Sequence, residues 1–259
     1  MVEYSFSLAN FEIFLLILVR ISCFVYIAPF FGMSNTPARV KIGLSVFVSL
    51  MIYGLVDKTG IDYTGILGYS IIVLREGITG LLIGLAANIC NSIILFAGNI
   101  IDMDIGLAMA SEFDPTMHTQ VTITGNLYNY LILLLLVVSD MHHYILRAVV
   151  DSYQVIPVNG QNFDWEHIAA SFTTYMGDMF VIAFRILLPV FGCIMILNCI
   201  LGIMAKVAPQ MNMFAVGMQM KVMVGFLVLF VTVILLPSVA DFIFREMKTM
   251  MVSFIEGMY

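Results

Sequence analysis

Asp102, Asp104, Glu112 and Asp114 fall in one polar stretch, Gly98 to Gly125 (GNIIDMDIGLAMASEFDPTMHTQVTITG), set between two strongly apolar runs. No Lys or Arg occurs between Arg75 and Arg147 to neutralise them. Paired carboxylates can divide acid and base work, but Asp102 and Asp104 are two apart and leave a helix on different faces, so they make a poor catalytic dyad. His142 and His143 are adjacent, and neighbours on a regular helix do not share a face as an i, i+4 pair does. They are read as a polar helix junction, and no metal or cofactor is expected. No glycine loop ends in GK[ST], so ATP hydrolysis is not expected, and the chain is taken to be no enzyme. Met103, Met109, Met117 and Phe113 stand among the acids. Methionine is unbranched and polarizable and fills surfaces that change shape, a property suited to a deformable seal.

The elements that position these residues are apolar helices. In 259 residues, 61% are hydrophobic and only 11% charged, with a mean hydropathy of +1.03, far from the composition of a soluble domain. At about 20 residues per crossing, an all-α polytopic membrane protein is expected, with no separate soluble domain. The net charge of −6 is dispersed, so nucleic-acid binding, which needs clustered cations, is not expected. Cys23, Cys90, Cys193 and Cys199 lie in apolar runs without a CxxC pair and are expected to be small buried hydrophobes. The acidic start MVEYSFSLANFE does not look like a cleaved signal.

In chain order, residues 11–31 form an apolar helix containing Arg20 and closed by Pro29. Asn35-Thr36-Pro37 reads as a side-chain cap with proline in the first turn, opening a helix from Ala38 to Val56, where Arg39 and Lys41 favour a cytoplasmic end. A helix from about Ile66 to Ile101 is too long for one simple span; it carries Arg75-Glu76 and the small-residue spacing Gly80 to Gly84, read as ordinary close helix packing. Arg75 and Glu76 do not face each other and should each find a partner on another helix or chain. Asp114-Pro115 reads as a second cap, opening a helix to Val138, and Asp164 as a third, opening a long helix over 168–203 with Asp178, Arg185 and Pro189. The loop KVAPQMNMFAVGMQMK, about 204–221, then joins a last helix over 222–252, kinked at Pro237. Charges in such apolar runs, Arg20, Asp178 and Arg185 here, face protein or water and mark subunit contacts or a pathway. A small-solute transporter using them is the alternative from a different class.

Lys206-Val-Ala-Pro209-Gln210-Met211-Asn212-Met-Phe214-Ala-Val-Gly217, after Leu201-Gly202 and before Lys221 and Gly225, closely resembles the signature of the FliR family of flagellar type III export-gate proteins. Ala28-Pro29, Phe31-Gly32 and Asn35 to Gly43 are similar to that family's amino-terminal pattern, as are Arg75-Glu76, Gly106 to Pro115 and Asp140 to His143. Injectisome homologues of virulence secretion systems share a similar block and remain the alternative within the resemblance; Pro37-Ala-Arg39 and Val216-Gly217 favour the flagellar branch. Met218-Gln219 departs from the family pattern.

The resemblance implies long kinked hairpins, a FliP-like part (1–175) followed by a FliQ-like hairpin (176–259), assembled with FliP and FliQ in the bacterial inner membrane at the flagellar basal body. It implies that many apolar helices stand above the membrane plane in the assembly, and that unfolded flagellar subunits pass through the channel. It further implies a channel plug at about 106–118, carried onto Gly106, Met109, Glu112, Phe113, Asp114, Pro115 and Met117. Contacts to FliP, FliQ and FlhB, and to lipid, are expected from Arg20, Arg75, Glu76, Asp178, Arg185, Lys206, Pro209, Gln210, Met211, Asn212, Phe214 and Lys221.

Overall fold

The computed structural model describes residues 8–33, 36–56, 63, 65–108, 122–210 and 212–259. Among the described residues the ordered elements are helices: α1 (Leu8–Ile27), α2 (Ala38–Tyr53), α3 (Gly65–Ile105), α4 (Ile123–Val138), α5 (Met141–Val155), α6 (Trp165–Val207), α7 (Met213–Thr232), a 3-10 turn (Val233–Leu235) and α8 (Leu236–Glu256). Among the described residues four helical stretches are long and apolar enough to cross a membrane, with a fifth if α4 and α5 count as one broken span. The all-α polytopic class is thus as expected, and the long helices are longer than their apolar runs suggested.

The chain divides into two compact units that interleave along the sequence, with α3, α6 and α8 contributing to both. The first unit comprises Met1–Ile89, Asp140–Tyr175 and Arg245–Tyr259. Its centre is a stripe of α1, Leu16, Ile17, Ile21, Phe24 and Val25, continued by Ala28 just past the helix, all buried at helical spacing, with α2 packed alongside. Gly80 and Gly84 bring α3 against α1: a Cβ on Gly80 would overlap the Arg20 carbonyl oxygen, and one on Gly84 would lie 3.1 Å from that of Phe24. This is the close packing that the glycine spacing predicts.

The second unit comprises Cys90–Ser139 and Met176–Phe244. Ile94, Ala97, Ile101 and Ile105 of α3, Ile132 and Leu136 of α4, and Ile182, Leu187, Val190 and Ile194 of α6 are buried in it. Outward it is apolar: Phe184, Leu188 and Ile196 on α6 and Leu227, Phe230 and Ile234 along α7 and the 3-10 turn are all at least half exposed. So much exposed apolar surface is what a helix covered by lipid or other chains presents.

Local signals explain most element ends. Asp164 Oδ1 accepts from the backbone N–H of Glu166 and of His167, both at 3.1 Å, the expected cap of α6. At α2 Pro37 occupies the cap position itself, with no side-chain hydrogen bond, and its fixed φ suits the helix entry; Asn35, the expected side-chain cap, lies outside the described residues. The 3-10 turn before Pro237 is the break expected from a residue that cannot donate to the preceding turn. The loop expected over 204–221 is much shorter. α6 runs to Val207 and α7 starts at Met213, because the Asn212 side chain caps α7 by accepting from Ala215 N–H at 3.4 Å. Two exposed cysteines, Cys193 and Cys199, depart from the expected burial; only Cys90 is fully buried and Cys23 partly so. Both exposed thiols lie on the outward-facing part of α6, where apolar composition gives no protection from exposure.

Candidate functional site

The polar stretch is entered along the last turns of α3. Asp102 is buried, and its carboxylate accepts from the Thr124 backbone N–H at 3.0 Å through Oδ2 and 3.2 Å through Oδ1. An acid on one helix thereby caps the exposed amides of another, where the positive end of the α4 dipole favours it. The close approach of the two helices rests on glycine: a Cβ on Gly98 would collide with the Gly125 backbone. α3 closes at Gly106, whose N–H donates to Asp102 O at 3.0 Å and whose φ of +95° is open to glycine and strained for other residues.

Beyond this point Ile105 and Gly106 line a cavity of about 300 Å³ with Asn198 and Leu201 of α6 and Phe214, Gly217, Met218 and Lys221 of α7. Its wall is apolar apart from the Asn198 amide and the Lys221 ammonium. Asp104 sits one residue before the cavity with Oδ2 shut from solvent and without a hydrogen-bond partner, and Lys221 acts on it electrostatically. The two described acids of the polar stretch therefore differ: Asp102 is satisfied inside this chain by helix amides, whereas Asp104 keeps a buried Oδ2 without a hydrogen-bond partner. Of the plug residues, Gly106 is placed as described, whereas Met109, Glu112, Phe113, Asp114, Pro115 and Met117 lie outside the described residues. Asp114-Pro115, the expected helix start, lies outside the described residues too, but the helix expected to run on through Thr124 is interrupted: Thr122 is extended, φ −79° and ψ 127°, and α4 begins at Ile123.

The expected subunit-contact residues separate into two groups. Arg20 and Glu76 are fully buried in the first unit and bound to each other, Nε to Oε2 at 2.6 Å. Arg20 Nη1 also donates to the Ile156 carbonyl at 3.1 Å, and Glu76 Oε1 accepts from Asn159 N–H at 3.0 Å and Gln161 Nε2 at 2.6 Å. The Tyr153 ring lies under the guanidinium, 4.1 Å from Cζ. With no exposed surface left, this pair serves the inside of the unit, and the expectation that it faces other chains gives way. Sequence reasoning missed Tyr153, Asn159 and Gln161; the Asn159-Gly160 turn was the available signal, since Asn159 adopts the left-handed φ of 64° that presents its N–H.

Arg75, Asp178, Arg185, Lys206, Pro209, Gln210, Asn212 and Phe214 are exposed, and Lys221 is half-buried at the cavity; Met211 lies outside the described residues. A third constellation was not expected. Asp140, His142 and His143 each place one ligand atom within 4.8 Å of the other two. His142 and His143 are neighbours inside α5, and Asp140, left-handed at φ 56° and ψ 17° immediately before it, supplies the third ligand atom.

The family model for bacterial export proteins, family 1, matches residues 11–247. The chain belongs to the FliR family of the flagellar export gate. It is 32% identical over 226 residues to the flagellar biosynthetic protein FliR of Bacillus subtilis (strain 168), covering 85% of this chain and 86% of that protein. The FliR proteins of Pectobacterium carotovorum subsp. carotovorum, 28% identical over 88% of this chain and 87% of that protein, and of Escherichia coli (strain K12), 23% identical over 92% and 90%, are also similar. FliR-family membership and the long apolar helices make this a multi-pass membrane component of the flagellar export apparatus. The FliR family is a structural export family rather than an enzyme family.

Proposed function

We propose that the chain is a core, non-enzymatic subunit of the flagellar export gate in the bacterial inner membrane, within the basal body. There it joins FliP and FliQ around a channel for unfolded flagellar subunits and meets FlhB at its cytoplasmic side. The observation that carries this is membership of the FliR family across 11–247. Helix lengths support it. α3 has 41 residues and α6 has 43, roughly 60 Å each at 1.5 Å per residue and about twice the hydrocarbon core. Parts of them stand outside the bilayer, which suits helices raised above the membrane plane in an assembly.

The segment 106–118 is the plug. A gate that stops ions and passes polypeptide needs an apolar, deformable and weakly held seal, and Met109, Phe113 and Met117 can repack without breaking hydrogen bonds. The subunit contacts are Arg75, Asp178, Arg185 and the α6–α7 turn with Lys206, Pro209, Gln210, Met211, Asn212, Phe214 and Lys221. Two measurements test this. A tagged chain purified in mild detergent should carry FliP and FliQ with it, and recovery of the chain alone would overturn the assembly. Replacing 106–118 with a short Gly/Ser linker should raise ion leak with assembly intact, and unchanged conductance would overturn the plug.

A further inference from the structure

Asp140, His142 and His143 are brought together by one backbone feature. The left-handed Asp140 turns its carboxylate back over the first turn of α5, placing Oδ1 3.4 Å from His143 Nδ1. The two imidazoles lie with centroids 4.0 Å apart and planes tilted by 40°. His142 rests against Phe30, 6.0 Å between ring centroids, and its Nδ1 is shut from solvent with no hydrogen-bond partner. One ligand atom from each of the three side chains lies within 4.8 Å of the other two, so two imidazoles and a carboxylate form a compact donor set.

We propose that these three side chains bind a divalent first-row transition-metal ion of the Zn2+ type at the start of α5. Two nitrogens and one carboxylate oxygen match the ligands of Zn2+ and Co2+, with a position left for water, whereas Mg2+ and Ca2+ take mainly oxygen. Donors around such an ion at about 2.1 Å stand roughly 3.4 Å apart in a tetrahedron, so the observed spread of up to 4.8 Å must contract. Asp140 and His143 can supply that movement by rotamer change, since their side chains are 81% and 71% exposed. The positive end of the α5 dipole opposes a cation here, and the Asp140 carboxylate offsets it. The ion ties the residue before α5 to its first turn and holds the left-handed corner in place.

The test is equilibrium dialysis of the full-length, tag-free chain in detergent against Zn2+, with Co2+ absorption as a second readout. Saturable uptake of one Zn2+ per chain and Co2+ d–d bands are expected. His143→Gln and Asp140→Asn should each weaken binding by tenfold or more, while His167→Gln, an exposed histidine elsewhere, should leave it unchanged. Because Asp140 and His143 are exposed, circular dichroism should show both variants folded. Absence of saturable uptake by the wild-type chain, or wild-type affinity in both His143→Gln and Asp140→Asn, overturns the site. The wild-type Co2+ spectrum decides it even where a variant fails to fold.

Discussion

Arg20 and Glu76, 56 positions apart in sequence, meet at 2.6 Å with both side chains shut from solvent. A buried pair of this kind gives little net stability against an apolar replacement, but breaking it leaves a charge without compensation. Glu76→Gln removes the carboxylate that Arg20, Asn159 and Gln161 all use. It should destabilise the chain by about 3–5 kcal/mol, read as a fall in the thermal midpoint in detergent. The double variant Arg20→Met/Glu76→Met should lose less than Glu76→Gln alone; a loss equal to the sum of the single variants would show that the two residues act separately.

Gly80 and Gly77 are one helical turn apart on α3 and predict opposite outcomes. A Cβ on Gly80 overlaps the Arg20 carbonyl oxygen, a backbone atom that cannot move alone, whereas one on Gly77 meets Cys23 Sγ and Val19 Cγ1 at 3.6 Å, ordinary contact. Gly80→Ala should cost about 1–3 kcal/mol through overpacking, while Gly77→Ala should be neutral or stabilise by up to about 1 kcal/mol through helix propensity. Limited proteolysis of the two variants in detergent checks the contrast, which is absent if α3 does not lie against α1.

The sequence made the all-α class, the caps at Asp164 and Pro237's break, and the close approach at Gly80 and Gly84 legible, because each depends on local residue type or spacing. What it hid depends on chain crossing chain. Asp102 was one of several unpaired acids until α4 brought its amides to it. Glu76 was a charge in search of a partner until α1 and the 156–161 loop closed on it. The α6–α7 loop was overestimated because Gly217 and the lysines read as loop chemistry, whereas the cap at Asn212 starts a helix that absorbs them. Asp140 joins His142 and His143 only through its left-handed backbone, φ 56°, which residue type and spacing do not reveal.

Asp102 predicts a local effect. It supplies the carboxylate that caps the first amides of α4, and a lost cap costs about 1 kcal/mol. Asp102→Ala should therefore raise amide hydrogen exchange at 123–126 roughly fivefold and leave the middle of α4 unchanged, with Asp102→Asn in between. Exchange that rises evenly along α4 would mean that Asp102 supports global stability instead of the helix end.

Asp178 and Arg185 distinguish lipid from protein as the neighbour of α6. Both are exposed on a helix long and apolar enough to cross a membrane. A charge facing hydrocarbon is costly, about 2.5–3.5 kcal/mol at the bilayer centre on insertion scales, so Asp178→Leu and Arg185→Leu would stabilise the chain if lipid lay there. Facing another subunit, each charge pairs across the interface, and its loss should leave the isolated chain within about 0.5 kcal/mol of the wild type. Recovery of the assembled complex should then fall by about tenfold, corresponding to roughly 1.4 kcal/mol per contact. Measuring thermal midpoint and complex yield on the same preparations separates the cases: raised stability with undiminished assembly would assign this face of α6 to lipid, and unchanged stability with lost assembly assigns it to a neighbouring chain.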